Sequence, residues 1–401
     1  MKTKILVRGP VLSQSGYGEQ ARFALRALRS QQDKYDIHIQ PIRWGNTGWV
    51  WEDNEERQWM DDMITKTANY GREGGKFDTT LQITIPNEWE PVAPVNIGYT
   101  AGIETDRVAP AWLFKANQMN KVVVVSDHSK KVFKNTRASA NNNPSGQQIE
   151  YQLTTPIESV GYAVLSPSTE PIPGFDPSTK FNFLCVSQWG PRKNFENTIR
   201  WWIEEFHDQN VGLILKTSLA NNSLIDKNKT QELLSSIMSK YENRKCKVYL
   251  LHGDLSPGQM RWLYTNDKVK CLINLAHGEG FGLPLFEAAQ NGLPVMTIGW
   301  SGQTDYLVQD GKDYFIKVDH KLETIPDNAV WENVLQADSK WAFAEQGSFK
   351  MQLRKVRKSW KKYKTQATKL QKIINKKYTE EIMYKKFCDA IEVNTLESVT
   401  L

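Results

Sequence analysis

Short apolar runs alternate with amphipathic stretches along most of this 401-residue chain. Runs rich in Val, Ile and Leu that end at polar or glycine-containing segments are typical of strands buried on both faces of a parallel sheet. We predict strands at residues 4–7, 37–42, 80–85, 95–99, 121–125, 181–187, 211–215, 247–251, 271–276 and 294–298. After the first run, one face of a predicted helix carries Ala21, Ala24, Leu25 and Leu28. Strands that alternate with helices in this way predict an α/β chain.

The most regular unit spans residues 271–305, CLINLAHGEGFGLPLFEAAQNGLPVMTIGWSGQTD. It predicts a strand, a glycine turn, a helix with Pro284 in its first turn, and a second strand. Free amides at such a turn can bind an anion, because a helix N-terminus carries about half a positive charge. Glu279 in the turn and Glu287 on the helix would present two carboxylates to a polyhydroxylated ligand. The alternative is an ordinary turn of a parallel sheet with two solvated glutamates.

A second glycine turn, with Gly16 and Gly18, follows the first predicted strand. Ligands of doubly wound domains collect at the carboxyl ends of the strands, so this turn is another candidate site. The sequence G-x-G-x-x-G is absent from it, which disfavours a dinucleotide-binding site.

Four tryptophans lie in a turn-rich stretch after the second predicted strand: Trp44, Trp49, Trp51 and Trp59. The residues GNTG between the first two argue against a helix there. Tryptophans clustered on a loop either offer flat faces to a ligand or fold back over the core, and the sequence leaves both interpretations open.

Charged residues follow two other predicted strands. Glu104 and Asp106 come after the strand at 95–99, where they would contact a ligand or cap the helix that contains residues 110–116. Arg192 and Lys193 lie between the strand at 181–187 and a predicted helix, where a phosphate would bind, although a cation pair on a loop is usually just solvated.

Length and composition allow two domains of ordinary size. The stretch 166–180, SPSTEPIPGFDPSTK, is rich in proline and predicts a linker between domains at 1–165 and 181–347. No apolar run is long enough to span a membrane, and the N-terminus predicts a strand rather than a signal peptide. Four scattered cysteines indicate neither a disulfide framework nor a zinc site, so we expect a reduced, cytoplasmic protein.

The positive charge is concentrated late in the chain. Residues 350–378 hold twelve Lys or Arg and no acid, so the net charge of +6 becomes 6 − 12 = −6 without them. Apolar residues every three or four positions predict a long amphipathic helix over 348–378, within a C-terminal segment 348–401. Its lysines form a solvated face, or bind a polyanion such as DNA or an anionic membrane; a seam for a partner helix is a further alternative.

The segment E-G-F-G-L-P-x-x-E, followed by G-L-P-V and W-S-G, resembles the donor-site signature of retaining GT-B glycosyltransferases. The resemblance implies two doubly wound Rossmann-like domains that face a cleft, with the C-terminal helical segment returning to the first domain. It also implies transfer of a sugar from a nucleoside diphosphate sugar, with a UDP-sugar as the expected donor, to a hydroxyl acceptor with retention of configuration, and without a metal or other cofactor.

The same resemblance implies roles for individual residues. Glu279 holds hydroxyls of the transferred sugar, Glu287 grips the ribose, and Arg192 with Lys193 neutralises the leaving diphosphate. Glycosyltransferases of this family often carry a further arginine where this chain has Gln188 or Trp189, so Lys216 is a candidate for the missing charge. The remaining residues expected near the donor are Gly280, Phe281, Gly282, Leu283, His252, Ser301, Gly302, Gly16 and Gly18.

The acceptor is less defined by sequence. The family often has a histidine where this chain has Tyr99-Thr100, so Glu104 or Asp106 is a candidate substitute, and Trp44, Trp49 and Trp51 are candidates for acceptor contact. The opening ILVRGPVLSQSGYG resembles glycosyltransferases that bacteriophages encode, some of which modify hydroxymethylated bases in DNA; such a protein would work in the host cytoplasm. The alternatives are a cell-surface glycan or lipid-linked acceptor, and a nonenzymatic nucleic-acid-binding protein that uses the basic helix.

Overall fold

The computed structural model describes residues 2–142 and 147–393, and its contacts divide the chain into two compact units. The first unit comprises Met1–Ala163, Val330–Ser339 and Thr379–Leu401. The second comprises Val164–Ala329 and Lys340–Tyr378. The stretch 166–180, predicted as a linker, lies in the second unit, where the Arg261 guanidinium donates to Pro167 O and the Glu170 amide to Gly258 O.

A six-stranded parallel sheet forms the centre of the first unit, in the order β2-β1-β3-β4-β5-β8. Its strands and an antiparallel β6–β7 hairpin are β1 Thr3–Gly9, β2 Tyr35–Pro41, β3 Thr79–Ile83, β4 Val95–Thr100, β5 Lys121–Val124, β6 Ala138–Asn142, β7 Gln147–Tyr151 and β8 Ile157–Ser159. The helices are α1 Gly16–Arg29, α2 Glu55–Arg72, α3 Pro110–Ala116 and α4 Asp127–Asn135. The chain adds strands in one direction from β1 to β2 and in the opposite direction from β3 onward, so the carboxyl ends of the adjacent strands β1 and β3 form the switch point of a doubly wound fold.

Helix α2 corrects one expectation about the tryptophan-rich stretch. Trp59 lies on this helix and not on a loop, with the Arg29 guanidinium 5.0 Å from its ring centre. The helix forms here because the Asn54 side chain caps it and Glu55 and Glu56 occupy its first turn, next to the positive end of the helix dipole. The loop tryptophans are therefore Trp44, Trp49 and Trp51.

The second unit also contains a six-stranded parallel sheet, in the order β11-β10-β9-β12-β13-β16. Its strands, with the hairpins β14–β15 and β17–β18, are β9 Asn182–Val186, β10 Gly212–Lys216, β11 Lys247–Leu251, β12 Val269–Asn274, β13 Val295–Ile298, β14 Val308–Gln309, β15 Lys312–Asp313, β16 Ile316–Val318, β17 His320–Thr324 and β18 Lys340–Ala344. The helices are α5 Phe195–Phe206, α6 Leu224–Met238, α7 Pro257–Thr265, α8 Leu283–Gln290, α9 Thr304–Leu307 and α10 Gln346–Lys377. In this sheet the direction in which strands are added reverses between the adjacent strands β9 and β12.

Every strand run predicted from the sequence is confirmed, with ends that shift by one or two residues. The predicted apolar stripe of α10 is also confirmed, since Leu353, Val356, Ala367, Leu370 and Ile374 are buried. The helix bends at Ser359, whose φ of −126° and ψ of 35° are not helical.

The C-terminal segment 348–401 divides between the two units. Helix α10, with the basic residues, packs on α5, α8 and β16 of the second unit. A last helix, α11 (Glu380–Ile391), belongs to the first unit and packs on α1, where the Phe387 ring lies 5.5 Å from that of Phe23. None of the helices in the described residues combines the length and apolar content of a membrane span.

Candidate functional site

The switch point of the second sheet brings two loops together. Strands β9 and β12 are hydrogen-bonded neighbours, so the loops after their carboxyl ends meet although they are far apart in the chain. The loop after β9 holds a turn of 3₁₀ helix, Pro191–Lys193, and the loop after β12 holds Glu279. The His277 amide donates to Arg192 O at 2.8 Å, which ties the two loops to each other.

Lys193 and Arg192 converge on the carboxylate of Glu279. Lys193 Nζ lies 2.6 and 2.8 Å from the two carboxylate oxygens, and Arg192 Nη1 lies 3.2 Å from one of them and 2.6 Å from Gly278 O. The Glu279 residue is 5% exposed, whereas the two cations keep about a quarter of their side chains in solvent, 26% for Arg192 and 19% for Lys193. Glu279, expected at the transferred sugar, and the two cations expected at the leaving diphosphate therefore form one cluster.

The charges of this cluster are strongly coupled. Burial acts to raise the pKa of Glu279, but the fields and hydrogen bonds of Lys193 and Arg192 outweigh it and lower the pKa to about 2. The carboxylate is thus ionised at neutral pH. Two cations against one buried anion leave the cluster with a formal charge of +1, and its cations reach solvent.

The W-S-G loop after β13 is hydrogen-bonded to the backbone of the glycine turn. The Glu279 amide donates to Ser301 Oγ at 2.9 Å, and the Gly302 amide donates to Glu279 O at 2.9 Å. A Cβ at Gly302 would lie 1.9 Å from Gly280 O, so only glycine permits this approach. Ser301 itself has a φ of 74°, a strained conformation for a residue with a side chain. The predicted phosphate ligands Ser301 and Gly302 thus hold the backbone of the turn.

Helix α8 begins directly at this turn. Gly282, at the N-cap, has a φ of 85°, and Pro284 lies in the first turn as predicted. The ring of Phe281 is buried against Phe286 and Tyr306, with ring centres 5.1 and 4.9 Å apart, so Phe281 anchors the turn in the core. Pro284 has no N–H, and the Leu285 and Phe286 amides donate to Gly282 O, so the Leu283 amide is the first backbone donor of α8. The N-terminus of a helix carries a partial positive charge and is a usual site for an anion.

Glu287 lies on the same helix, five residues beyond Gly282. Its Oε2 accepts a hydrogen bond of 2.7 Å from the hydroxyl of Tyr264, a buried residue of α7. Burial and the neighbouring carboxylate hold the pKa of Tyr264 well above its usual range, so the hydroxyl stays a donor. Tyr264 was not predicted from the sequence, because no local pattern relates α7 to α8.

His252 and Lys216 lie at the ends of the neighbouring strands β11 and β10. His252 Nε2 is 2.7 Å from Asp226 Oδ1, and both side chains are buried. Asp226 also accepts hydrogen bonds from the amides of Leu219, Ala220 and Asn221. Burial acts to raise the pKa of Asp226, but the hydrogen bonds from His252 and from the three amides outweigh it and hold this pKa well below the usual range. Asp226 was missed, although S-x-x-D at the start of α6 is a recognisable helix-start signal.

Lys216 completes this side of the sheet. Its ammonium group donates to Gly253 O at 2.7 Å, and burial lowers its pKa despite the opposing field of Asp254. Both Lys216 and His252 therefore have hydrogen-bond partners within the second unit.

The predicted residues of the first unit surround the loop between β1 and α1. Ser15 caps α1 by accepting from the Gly18 amide, and a Cβ at Gly18 would lie 1.9 Å from Ser13 O, whereas one at Gly16 would meet nothing within 4 Å. Tyr17 stacks on Trp44, with ring centres 4.3 Å apart, and its hydroxyl lies 2.8 Å from Thr100 Oγ1. Gly18 is thus required by packing.

The other two loop tryptophans are exposed. Trp49 keeps 59% and Trp51 68% of its surface in solvent. Two backbone hydrogen bonds hold their loop against the loop after β1: the Gln14 amide donates to Gly48 O, and the Val50 amide donates to Leu12 O. The alternative that these rings fold back over the core is therefore wrong.

Glu104 and Asp106 lie in the loop after β4. The alternative that either acid caps α3 is wrong, because Ala109 is the N-cap residue of that helix and no side chain caps it. Among the described residues, no group of three or more His, Cys, Asp or Glu is arranged to hold a metal ion.

Comparisons with known proteins establish the fold. No protein-family model and no curated protein matches the sequence. Anabaena HepE in complex with UDP and glucose matches with a TM-score of 0.59 at 14% identity, over 97% of this chain and 99% of that chain. Sucrose-phosphate synthase from Thermosynechococcus elongatus matches with a TM-score of 0.61 at 9% identity, over 97% and 98%. The lipopolysaccharide outer core galactosyltransferase WaaB, in its apo form, matches with a TM-score of 0.55 at 12% identity, over 98% and 99%. The chain therefore has the GT-B fold, with two Rossmann-like domains.

Proposed function

We propose that this protein transfers a sugar from a nucleoside diphosphate sugar to a hydroxyl acceptor, with retention of configuration. The observation that carries the proposal is the convergence of Lys193 and Arg192 on buried Glu279, beside the N-terminus of α8. The GT-B fold supports it, and the HepE structure that this chain resembles holds UDP and glucose. A UDP-sugar is accordingly the donor that we test first.

The donor diphosphate would bind to the two cations and to the N-terminus of α8, where the Leu283 amide lies. In the structure, Lys193 and Arg192 donate hydrogen bonds to the Glu279 carboxylate. A diphosphate that takes over these cations frees the carboxylate to accept hydrogen bonds from sugar hydroxyls. The donor thus supplies both an anion and hydroxyl donors, and the acid and the cations both keep partners in the complex.

The reaction that we propose needs no protein nucleophile. A bond forms between the acceptor oxygen and the anomeric carbon on the face from which the diphosphate departs, while the bond to the diphosphate oxygen breaks. The acceptor hydroxyl proton passes to that departing oxygen. Lys193, Arg192 and the N-terminus of α8 stabilise the charge that develops there, which is the role a divalent cation plays in other enzymes. We therefore propose that turnover is metal-independent.

The acceptor contacts that we propose are the exposed rings of Trp49 and Trp51. Flat aromatic faces bind sugars or stack on bases. Glu52 and Asp53 follow directly in the chain, and their negative charge favours a glycan or lipid-linked acceptor over a polyanion. The second candidate, a hydroxymethylated base in DNA, is favoured by the stacking capacity of two rings on one loop.

The first experiment is a thermal-shift screen with UDP-sugars, because a ligand that binds only the folded state raises the melting temperature. We expect a shift in the wild-type protein that Lys193→Met abolishes. Lys227→Met, which removes an exposed lysine on α6, is the matched control and should keep the shift. Absence of a shift with every nucleoside diphosphate sugar, in a protein that melts cooperatively, would refute the proposal and favour the nonenzymatic alternative.

The finer parts of the proposal have separate tests. The anomeric configuration of the product, read by NMR, must equal that of the donor, and turnover must persist in excess chelator. For the acceptor, a DNA substrate predicts a KM that rises steeply with salt, whereas a neutral glycan predicts a KM that does not.

A further inference from the structure

The solvent-facing side of α10 carries a row of lysines and no acidic residue. The helix sequence, Gln346–Lys377, contains no Asp or Glu. Exposed lysines recur along it at intervals of mostly three or four residues, at Lys355, Lys358, Lys362, Lys369, Lys372 and Lys376. Because residues three and four apart share one face of a helix, these side chains form a single positive surface, which we call the lysine face.

Folding engages the charge of other α10 cations rather than that of Lys369, Lys372 and Lys376. Other cations of α10 are engaged with the second unit: Lys350 with Glu204, Arg354 with Glu205, and Lys364 with Gly292 O. By contrast, within the described residues no ion pair or hydrogen bond involves the side chains of Lys369, Lys372 or Lys376. The lysine face therefore stands as an uncompensated positive surface on a chain whose remainder has an excess of acids.

We propose that the lysine face binds the surface of an anionic lipid membrane. The buried side of α10 packs on α5, α8 and β16, so its apolar residues are not available to insert among acyl chains. Binding would therefore be electrostatic, through lysines attracted by the negative potential of acidic headgroups. This proposal does not depend on the proposed function.

The composition and the setting of the lysine face favour a membrane over DNA. Proteins read bases with arginine forks and amide side chains, but the two arginines of α10 contact their own unit, Arg354 at Glu205 and Arg357 at the Phe181 ring, which leaves lysines on the lysine face. A flat surface can contact the whole row at once, and Lys362 to Lys376 alone extends about 21 Å.

The experiment measures co-sedimentation of the full chain with vesicles of mixed phosphatidylserine and phosphatidylcholine, against vesicles of pure phosphatidylcholine. The test variant is Lys369→Gln/Lys372→Gln/Lys376→Gln. The matched control, Lys227→Gln/Lys229→Gln/Lys240→Gln, removes the same charge from exposed positions on and just after α6 in the same unit. Melting temperatures of all three proteins verify that the substitutions leave the fold intact.

We expect binding to the anionic vesicles only, with a strong dependence on salt. Each lysine near an anionic leaflet changes the partition coefficient about fivefold, so the test variant should bind on the order of 100-fold more weakly. The control should lose less than tenfold, because only the overall charge changes. Three results overturn the proposal: no binding of the wild-type protein to anionic vesicles, equal binding to both types of vesicle, or equal losses in both variants. Binding of a DNA duplex that the test variant abolishes, in a protein that binds neither type of vesicle, would assign the lysine face to DNA instead.

Discussion

The ion cluster around Glu279 makes a sharp prediction about stability. Glu279→Gln removes the negative charge at nearly constant size and leaves Lys193 and Arg192 partly hydrated, at 19% and 26% exposure. The folded-state pKa of Glu279 is lowered from 4.5 to about 2. A depressed carboxylate pKa contributes stability that is present above the unfolded-state value and is lost as the pH falls through the folded-state value.

The magnitude follows from the same two pKa values. A difference of about 2.5 units corresponds to about 3 kcal/mol at pH 7, since one unit is 1.36 kcal/mol. At pH 3 the unfolded state is already protonated and the folded state is still mostly ionised, which leaves about 1 kcal/mol. Glutamine keeps one acceptor for Lys193, so these figures are upper bounds for Glu279→Gln.

The assay is urea unfolding of wild type and variant at pH 7 and pH 3, with Glu232→Gln as the control. Glu232 is exposed on α6, and its substitution should change the free energy of unfolding by less than about 0.5 kcal/mol. We expect the difference in free energy of unfolding between wild type and Glu279→Gln to be at least halved at pH 3 relative to pH 7. A gap that is absent at pH 7, or that widens at pH 3, would refute the coupling of this carboxylate to the two cations.

Three further predictions concern single positions. Gly302→Ala should destabilise the second unit by about 2 kcal/mol or more in urea unfolding, because the added Cβ clashes with the backbone of the glycine turn. The control Gly190→Ala should not destabilise it, because a Cβ there meets nothing within 4 Å. Equal effects of the two substitutions would contradict the packing argument. Tyr264→Phe removes the hydrogen bond to Glu287 and should lower kcat/KM for the donor about tenfold, which steady-state kinetics would measure; an unchanged value would exclude a positioning role. Trp51→Ala, at a largely exposed ring, should raise the acceptor KM without changing the melting temperature or donor binding, and an unchanged acceptor KM would remove this ring from the acceptor site.

Local sequence patterns were sufficient for most of the architecture. Each strand of the two parallel sheets that is four residues or longer coincides with a predicted run, because such strands need continuous apolar segments of their own. The glycine turn and the start of α8 at Pro284 were also predictable, since backbone conformation there depends on a few neighbouring residues. The three-residue strands β8 and β16 were missed, because three residues carry too little pattern to separate a strand from a loop.

The candidate site could be predicted only as a set of residue types. Two acids, two cations and a glycine turn were visible in the sequence, and the family resemblance suggested roles for them. That Lys193 contacts Glu279, 86 positions away, follows from the pairing of β9 with β12, which no local pattern specifies. The partners Tyr264 of Glu287 and Asp226 of His252 were not predicted, for the same reason.

The sequence by itself determined where the strands and helices form and where the charge lies, because propensity and hydrophobic periodicity act over a few residues. Only the tertiary structure decided which loops meet, which lysines of α10 are neutralised, and that the basic helix packs on the second unit. The physical reason is that strand order and helix packing depend on burying apolar surface between distant segments, and this decides which charged side chains become neighbours.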